Sequence, residues 1–300
     1  MGCELMSKHA YLIMAHNNFD FLKKELELLD DERNDIFIHI DKKAGKIDED
    51  YIRDSVKKSK VFFIARKRIQ WAAYSGIQCE INLLMEAVNT GRYDYYHLLS
   101  GADLPLKNQD EIHAFFEKEN GKEFLNFDSP VPRESDMKRI RKYYIFQHLY
   151  GRNRKNPFLV FLFVLDKILG KIQDVLHVNR YKKEPDFLPQ KGANWFSITH
   201  ELALEVINRE KWIRKHFIFS RSGDEVFLQT IVNSTDFKHN LYRNGRQGCL
   251  RKIDWGRGKP YTWRIGDYDE LMNSGFLFAR KFDPVVDEEI IEKVYDTLKN

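Results

Sequence analysis

The sequence predicts an α/β protein built on a sheet whose strands are joined by crossover helices. In the first hundred residues, short apolar segments alternate with longer segments whose apolar residues repeat at helical spacing. The short segments are apolar throughout, as expected for strands that are covered on both faces. Apolar residues at 43% and charged residues at 31% are typical of a folded globular protein.

Four strands and three helices are predicted in this first part of the chain. The predicted strands cover residues 10–15, 36–40, 61–64 and 95–99. The predicted helices cover residues 19–29, 76–88 and 109–118. Leu22, Leu26 and Leu29 fall on one face of the first helix, which indicates the face that packs on the sheet.

The rest of the chain predicts further helices and one more strand. A basic, aromatic segment at 133–150 and an amphipathic segment at 156–175 each predict a helix. Residues 195–207 predict a strand followed by a helix, and residues 222–225 open another helix. The C-terminal quarter is predicted to be loop-rich until a closing helix at 287–298.

Cysteine usage and apolar run lengths bear on location. Cys3, Cys79 and Cys249 are too far apart for a zinc site or a disulfide framework, which favours a reducing cytoplasm. The first eight residues lack the charged and apolar pattern of a secretory signal. The longest apolar run, 158–165, is far shorter than the roughly 20 residues that span a bilayer. We therefore expect a cytoplasmic protein, with the inner face of the plasma membrane as the alternative location.

Charge is distributed unevenly along the chain. A net charge of +4 is too small to indicate a nucleic-acid-binding protein by itself. Between residues 243 and 264, however, a single acidic residue, Asp254, accompanies a cluster of basic ones. The basic residues are Arg243, Arg246, Arg251, Lys252, Arg257, Lys259 and Arg264. Such clustering suits an anionic ligand such as a diphosphate.

Common nucleotide-binding motifs are absent from the sequence. Neither G-x-G-x-x-G after the first strand nor G-x-x-x-x-G-K-[ST] occurs, which disfavours dinucleotide dehydrogenases and P-loop enzymes. The fourth predicted strand is followed by the turn-rich loop Ser100-Gly101-Ala102-Asp103-Leu104-Pro105-Leu106. Ligands of open α/β sheets bind beyond the carboxyl ends of the strands, so this loop is well placed to contact one.

Successive blocks of the sequence resemble those of a known enzyme family. The blocks are Ile38-His39-Ile40-Asp41-Lys42-Lys43, Tyr95 to Leu106, Lys191-Gly192-Ala193-Asn194-Trp195-Phe196, Asp224 to Thr230 and Leu277 to Asp283. These blocks, in this order, resemble those of the core-2/I-branching β-1,6-N-acetylglucosaminyltransferases. Within that family, the chain is similar to a bacterial-type member. Any one block alone is a weak signal, but the ordered set covers nearly the whole chain.

The resemblance implies a GT-A-like fold with a mixed central sheet flanked by helices, in one domain over residues 1–300. It further implies that about residues 1–130 bind the nucleotide, and that about residues 131–300 bind the acceptor and the diphosphate. It also implies inverting transfer from a UDP-sugar, with N-acetylglucosamine or a related sugar such as xylose, to a glycan or lipid-linked acceptor. No metal cofactor is expected, and Asp267-Tyr268-Asp269 is interpreted as a chance Asp-x-Asp because it lies in a C-terminal loop.

The resemblance also implies the catalytic base. Glu225 matches the family's catalytic glutamate, although Gly223 occupies the position where the family has proline. An inverting transferase needs such a carboxylate to take the proton from the acceptor hydroxyl. The alternative is that Asp224 and Glu225 are acids in the first turn of a helix, where the helix dipole favours them.

Further site residues follow from the same blocks. Lys281 matches the phosphate-binding lysine, and Arg251 and Arg264 are the candidates for its partner; solvated surface charges are the alternative. Asp41, Ser100, Gly101 and Asp103 are expected to bind the donor, although an Asp in a turn also caps its own backbone. The expected acceptor-binding residues are Lys138, Arg141, Tyr144, Trp195 and Trp255.

Two other interpretations use the basic and amphipathic segments. A nucleic-acid-binding protein would use the basic, aromatic stretches near 133–155 and 243–264, but this explains neither the Glu225 block nor the α/β alternation. A non-catalytic nucleotide-sugar-binding protein is the other alternative. The segment 156–176 is either a core helix or a peripheral membrane-contacting helix that would lie beside a lipid-linked acceptor.

Overall fold

The protein is described by a computed structural model over residues 7–131, 133–184, 186–242, 248–258 and 260–299. Its strands are β1 His9–Ala15, β2 Asn34–Ile40, β3 Lys60–Phe63, β4 Tyr95–Ser100, β5 Asp103–Pro105, β6 Phe124–Leu125, β7 Phe196–Thr199, β8 Arg251–Ile253 and β9 Phe278–Arg280. Its α-helices are α1 Phe19–Leu29, α2 Glu49–Arg53, α3 Tyr74–Thr90, α4 Gln109–Lys118, α5 Glu134–Arg141, α6 Gln147–Tyr150, α7 Pro157–Val175, α8 His200–Asn208, α9 Glu210–Phe217, α10 Phe227–Asn233, α11 Tyr268–Met272 and α12 Glu289–Lys299.

The larger sheet has the strand order β3-β2-β1-β4-β7-β6. β1 pairs in parallel with β2 and β4, so the carboxyl ends of all three strands lie at one edge. β7 runs antiparallel to both β4 and β6, which places the start of β7 and the end of β6 at that same edge. The sheet is therefore mixed and flanked by helices, which confirms the predicted fold class.

Both faces of the larger sheet are covered, as its continuous apolar strands predict. In β1, Ala10 and Leu12 belong to the core that also contains residues of α3, α8 and α10. The alternate residues Tyr11 and Ile13 belong to the opposite core, with residues of α1 and α4. Burial on both faces removes the period-2 polar pattern that a half-exposed strand would show.

A second sheet, with the order β5-β9-β8, lies beyond the end of β4. β5 follows β4 after two residues, and Asp103 pairs in register with Arg280 of β9. The sequence predicts loops for most of the C-terminal quarter, and this expectation is wrong for β8 and β9. β8 and β9 have three residues each, which is too short for a periodic apolar pattern to be recognised in the sequence. β9 pairs with β5, which is far away in the sequence, and β8 pairs in parallel with β9.

The single helix predicted over 133–150 is also wrong, because the structure has α5 and α6 with non-helical residues between them. The backbone N–H of Tyr144 donates to Phe219 O at 2.9 Å, and that of Phe146 donates to the Asp166 carboxylate at 3.2–3.3 Å. These tertiary hydrogen bonds replace the intrahelical bonds that a continuous helix would need.

The helix predicted over 156–175 is present as α7, but it is not a core helix. Within it only Leu162 and Asp166 are buried. The core-helix alternative for this segment is therefore wrong. Within the described parts of the chain, α7 and the other helices all lack the length and apolar character needed to cross a membrane.

Candidate active site

Glu225 lies in a short 3-10 turn, Gly223–Glu225, just before α10. The preceding residue, Ser222, has a left-handed backbone (φ 53°) and donates its N–H to the O of Ala72, which is also left-handed (φ 60°). Gly223 is buried, and a Cβ at this position would lie 2.4 Å from Ser220 Oγ. Packing therefore holds the turn in place where the family has a proline.

The Glu225 carboxylate is partly exposed and contacts two cations. Arg139 Nη1 of α5 donates to it at 2.9 Å, and Lys191 Nζ lies 3.5 Å away. Lys191 Nζ also binds the Asp128 carboxylate at 2.5 Å. Asp224 and Glu225 do lie in the first turn of this 3-10 helix, as the helix-dipole alternative states, but the Glu225 carboxylate contacts Arg139 and Lys191 and does not cap α10.

The backbone of Glu225 is fixed by a neighbouring glycine. Gly192 donates its N–H to Glu225 O at 2.9 Å. A Cβ on Gly192 would lie 1.7 Å from Asn126 O, so no other residue fits without moving the backbone. The loop before β7 and the end of β6 thus hold the Glu225 turn at the carboxyl edge of the larger sheet.

Glu225 faces a cavity of about 660 Å³ at this edge. Trp255, which is 62% exposed, forms part of its wall, and Arg251 lies in its lining. The charged lining residues are Asp128, Arg139, Lys191, Glu225, Arg251, Lys252, Asp254 and Glu270. A polar cavity with an exposed aromatic ring can hydrogen-bond the hydroxyls of a sugar and stack on its apolar face.

Arg251 reaches this cavity from a buried position. Its guanidinium donates to Ser197 Oγ at 2.9 Å and to three carbonyl oxygens at 2.5–3.2 Å, those of Leu98, Phe196 and Cys249. Burial lowers the pKa of Arg251 to about 10. Most of its hydrogen-bonding capacity is thus used to join β4, β7 and β8, which weakens its candidacy as the diphosphate partner of Lys281.

The loop after β4 forms a second polar cluster. Asp103 is fully buried and accepts hydrogen bonds from Ser100 Oγ at 2.8 Å and Arg280 Nη1 at 2.9 Å. The Arg280 guanidinium also contacts Ser100 Oγ and lies 4.4 Å from the ring centroid of Trp195. Burial raises the pKa of Asp103, and the charge of Arg280 opposes that rise. Trp195, expected to bind the acceptor, is buried beneath Arg280.

Asp41 and Lys281 approach the same edge from β2 and β9. The N–H of Asp41 donates to Ala15 O at the end of β1, and the N–H of Phe282, which follows Lys281, donates to Ala102 O in the loop after β4, both at 2.9 Å. The Asp41 carboxylate accepts hydrogen bonds from the N–H of Lys43 at 2.8 Å and of Ile69 at 3.3 Å, so it does cap its own turn. The Lys281 side chain is partly exposed, and Asp283, 3.8 Å from its Nζ, is its ion-pair partner in the described structure.

Gly101, in the loop after β4, lies against the end of β1. Its N–H donates to Met14 O at 3.1 Å, and a Cβ at this position would lie 3.0 Å from the Cβ of Ala15. The absence of a side chain therefore lets the loop after β4 pass close to the end of β1.

Arg264 is exposed and lies next to the backbone of Lys281, because the N–H of Trp263 donates to Lys281 O at 3.0 Å. Asp267 is bound at 2.6 Å by Arg257. Three members of the predicted basic cluster, Arg243, Arg246 and Lys259, lie outside the described residues.

The remaining predicted acceptor residues lie away from the Glu225 cavity. Arg141 pairs with Glu134 at 2.7 Å, and the Tyr144 hydroxyl donates to Lys138 O at 3.3 Å. These side chains line other grooves on the surface. The residue of α5 that lines the cavity is instead Arg139, which is not among the predicted site residues.

Arg280 and Lys191 also lie at the site, although they are not among the site residues that the sequence predicts. Arg280 reaches the site because the pairing of β9 with β5 places it opposite Asp103. No local sequence pattern indicates this position.

Two carboxyl groups with buried oxygens, those of half-buried Asp224 and of buried Glu80, lie next to the Glu225 turn. Asp224 Oδ1 and Glu80 Oε2 are buried and have no hydrogen-bond partner among the described residues. Burial, followed by the charge of Glu225, raises the pKa of Asp224 to about 6, and the nearby Arg139 opposes the rise. Burial and the charge of Asp224 raise the pKa of Glu80 well above its usual range.

Comparison with known proteins places the chain in a family. The Core-2/I-branching enzyme family model matches residues 9–272, so the chain belongs to this family and is a glycosyltransferase. It is 20% identical to the human β-1,3-galactosyl-O-glycosyl-glycoprotein β-1,6-N-acetylglucosaminyltransferase 3, over 97% of this chain and 68% of that protein. It is 19% identical to dog xylosyltransferase 2, over 94% of this chain and 33% of that protein.

A comparison of structures finds mouse xyloside xylosyltransferase 1, in its apo form, with a TM-score of 0.38. The two share 12% sequence identity over 90% of this chain and 96% of the mouse chain.

The buried carboxyl groups predict a pH-dependent stability. Because the pKa of Asp224 is raised to about 6, the folded protein holds this proton more tightly than the unfolded chain. Stability is therefore lost as pH rises from about 4 through about 6, by at most about 3 kcal/mol. Asp224→Asn removes this loss, so its melting temperature relative to wild type should be higher at pH 7.5 than at pH 4.5.

Asp236→Asn is the control for this measurement, because Asp236 is an exposed aspartate. Its difference from wild type should be the same at both pH values. A pH-independent difference for Asp224→Asn as well would refute the assigned titration.

Proposed function

We propose that the protein transfers a sugar from a UDP-sugar to a hydroxyl of a glycan or lipid-linked acceptor, with inversion at the anomeric carbon. One observation carries this proposal: the Glu225 carboxylate faces a polar cavity while Arg139 and Lys191 hold it in place. A positioned carboxylate open to a sugar-sized cavity is what general-base activation of a hydroxyl requires.

The proposed step begins when Glu225 accepts the proton of the acceptor hydroxyl. The hydroxyl oxygen attacks the anomeric carbon as the bond from that carbon to the UDP oxygen breaks. Arg139 and Lys191 orient the carboxylate, so that the reacting oxygen meets it in one geometry. Attack from the face opposite the leaving group inverts the configuration.

The leaving diphosphate is assigned to the cations around β9. Negative charge grows on it as the bond breaks, and fixed cations stabilise that charge. Lys281 is the first candidate, and exposed Arg264 beside its backbone is favoured over buried Arg251 as its partner. Asp41 and the loop Ser100–Asp103 lie at the strand ends where the nucleotide would bind. This placement agrees with the expected division near residue 130, which stays a prediction.

Metal-independent binding is part of the proposal. The carboxylate of Asp267, half of the Asp-x-Asp sequence, is bound by Arg257 at 2.6 Å and by the N–H of Arg264 at 3.0 Å. The Asp267 oxygens are thus already bound by groups of the protein and are not free to bind a metal ion. This supports neutralisation of the diphosphate by side-chain cations.

The acceptor is assigned to the cavity between Glu225 and Trp255. The exposed indole offers an apolar face for a sugar ring, and the charged lining residues offer partners for its hydroxyls. The names of the relatives support N-acetylglucosamine or xylose as the transferred sugar.

The base assignment is tested by Glu225→Gln. The amide keeps the size of the side chain but cannot take the proton, so the transfer rate should fall by about 10²–10⁴. Donor affinity and folding should change little, because the diphosphate cations are elsewhere. Transfer is measured as UDP release with UDP-N-acetylglucosamine or UDP-xylose and a glycan acceptor.

The matched control is Glu117→Gln, an exposed glutamate of α4, which should transfer at the wild-type rate. Near wild-type transfer by Glu225→Gln would rule out the base. UDP-sugar binding by a wild-type protein without any transfer would instead favour a non-catalytic binder.

The donor assignment is tested by Lys281→Ala. Loss of a charge-assisted contact of about 1.5–3 kcal/mol should weaken UDP binding about 10- to 100-fold. Isothermal titration calorimetry is performed in EDTA, so that the wild type binds only if no metal is required. Lys118→Ala, at an exposed lysine of α4, should bind UDP like wild type. Unchanged affinity in Lys281→Ala removes this lysine from the site, and wild-type binding that requires Mn²⁺ overturns the metal-free assignment.

A further inference from the structure

The outward face of α7 carries a continuous row of exposed apolar side chains, which we call the α7 stripe. Each of its members is between 46% and 77% exposed. The stripe consists of Phe158, Phe161, Val164, Ile168, Ile172 and Val175. Neighbours in this row are three or four positions apart, so the side chains lie along one side of a helix roughly 28 Å long.

Contacts on the opposite side of α7 hold the helix in an orientation that keeps the α7 stripe facing outward. The buried Asp166 accepts a hydrogen bond from the Tyr150 hydroxyl at 2.9 Å. Gln173 exchanges two hydrogen bonds with the backbone of Tyr143, at 2.8 and 3.0 Å. The Arg154 guanidinium covers the Phe163 ring at 3.8 Å. Rotating the stripe inward would break these contacts and expose Asp166 in place of an apolar residue.

The stripe is bordered by positive charge. Lys167 and Lys171 follow one side of it, and Lys155 precedes the helix; all three are exposed. Asp166 is buried, and Asp174 pairs with Lys142 at 2.6 Å. Across the described ranges no acidic side chain pairs with any of these three exposed lysines. The apolar face therefore has a cationic border without internal neutralisation.

We propose that α7 docks the protein on an anionic lipid bilayer, with the helix lying in the plane of the surface. The stripe enters the boundary between headgroups and acyl chains, and Lys155, Lys167 and Lys171 meet the lipid phosphates. An amphipathic helix with lysines beside its apolar face has this mode of binding.

Charge complementarity favours an anionic membrane over a second copy of the chain as the partner of the α7 stripe. A two-fold interface centred on the stripe would bring Lys167 and Lys171 of one copy close to the same lysines of the other. Like charges would then meet without acidic residues between them, whereas an anionic membrane supplies the opposite charge over the same area.

Flotation with lipid vesicles tests the docking. The wild type should float with vesicles of phosphatidylcholine and phosphatidylglycerol and remain at the bottom with phosphatidylcholine alone. Phe161→Ser with Ile168→Ser should lower the bound fraction on the order of tenfold or more, because apolar burial is lost. Lys167→Glu with Lys171→Glu should lower it by about fivefold or more per lysine, and added salt should weaken the wild type.

Two controls separate docking from folding and from catalysis. Val285→Ser, at an exposed valine outside α7, should float like the wild type. Glu225→Gln should also float, because docking does not depend on the proposed transfer. Circular dichroism identifies any unfolded variant, and the charge-reversal pair then tests the surface independently of the stripe.

A wild type that does not float, or an α7-stripe variant that floats equally well, overturns the proposal. If a non-floating wild type elutes as a dimer and the stripe variant as a monomer, a second copy covers the stripe instead.

Discussion

The carboxylate of Glu225 lies between Arg139 and Lys191, and these two contacts join segments that are far apart in the sequence. Arg139 comes from α5, Lys191 from the loop before β7, and Glu225 from the turn before α10. A partly buried carboxylate with two cationic neighbours is held in one place at the cavity wall. Any displacement of α5 or of the loop would therefore move the group that we assign as the base.

Close packing beneath this carboxylate leaves little freedom for substitution. Gly192 lies against the carbonyl of Asn126, and Gly223 lies against Ser220. Behind them, Glu80 and Asp224 place two carboxyl groups in a region where their ionisation is unfavourable. Buried carboxyl groups of this kind lower the stability of the folded protein near neutral pH.

Local sequence patterns predicted five of the six strands of the larger sheet, whereas the two-residue strand β6 was not predicted. The helix at 19–29 matches α1, whose Leu22, Leu26 and Leu29 are buried on one face. The break between α5 and α6 could not be predicted, since the hydrogen bond from Tyr144 to Phe219 joins residues that only the folded chain brings together.

The same physical reason limited the prediction of the site. Glu225, Arg251 and Trp255 do meet at one cavity, and Lys281 lies beside the loop after β4, because the N–H of the next residue, Phe282, donates to Ala102 O at 2.9 Å. The sequence does not indicate Arg280 and Arg139, because their positions at the site depend on strand register and on helix rotation. Arg251 is at the site as predicted, but its guanidinium mainly donates to carbonyl oxygens of neighbouring strands.

In the proposed function, the donor binds at the cations around β9 and the cavity beside Glu225 receives the acceptor. A crystal structure of the protein with UDP bound tests this division most directly. We expect diphosphate oxygens at about 3 Å from Lys281 Nζ, with Arg139 and Lys191 still bound to Glu225 and the cavity open. A diphosphate bound to Arg139 and Lys191 would refute this division, because the cations that orient the base would then bind the donor.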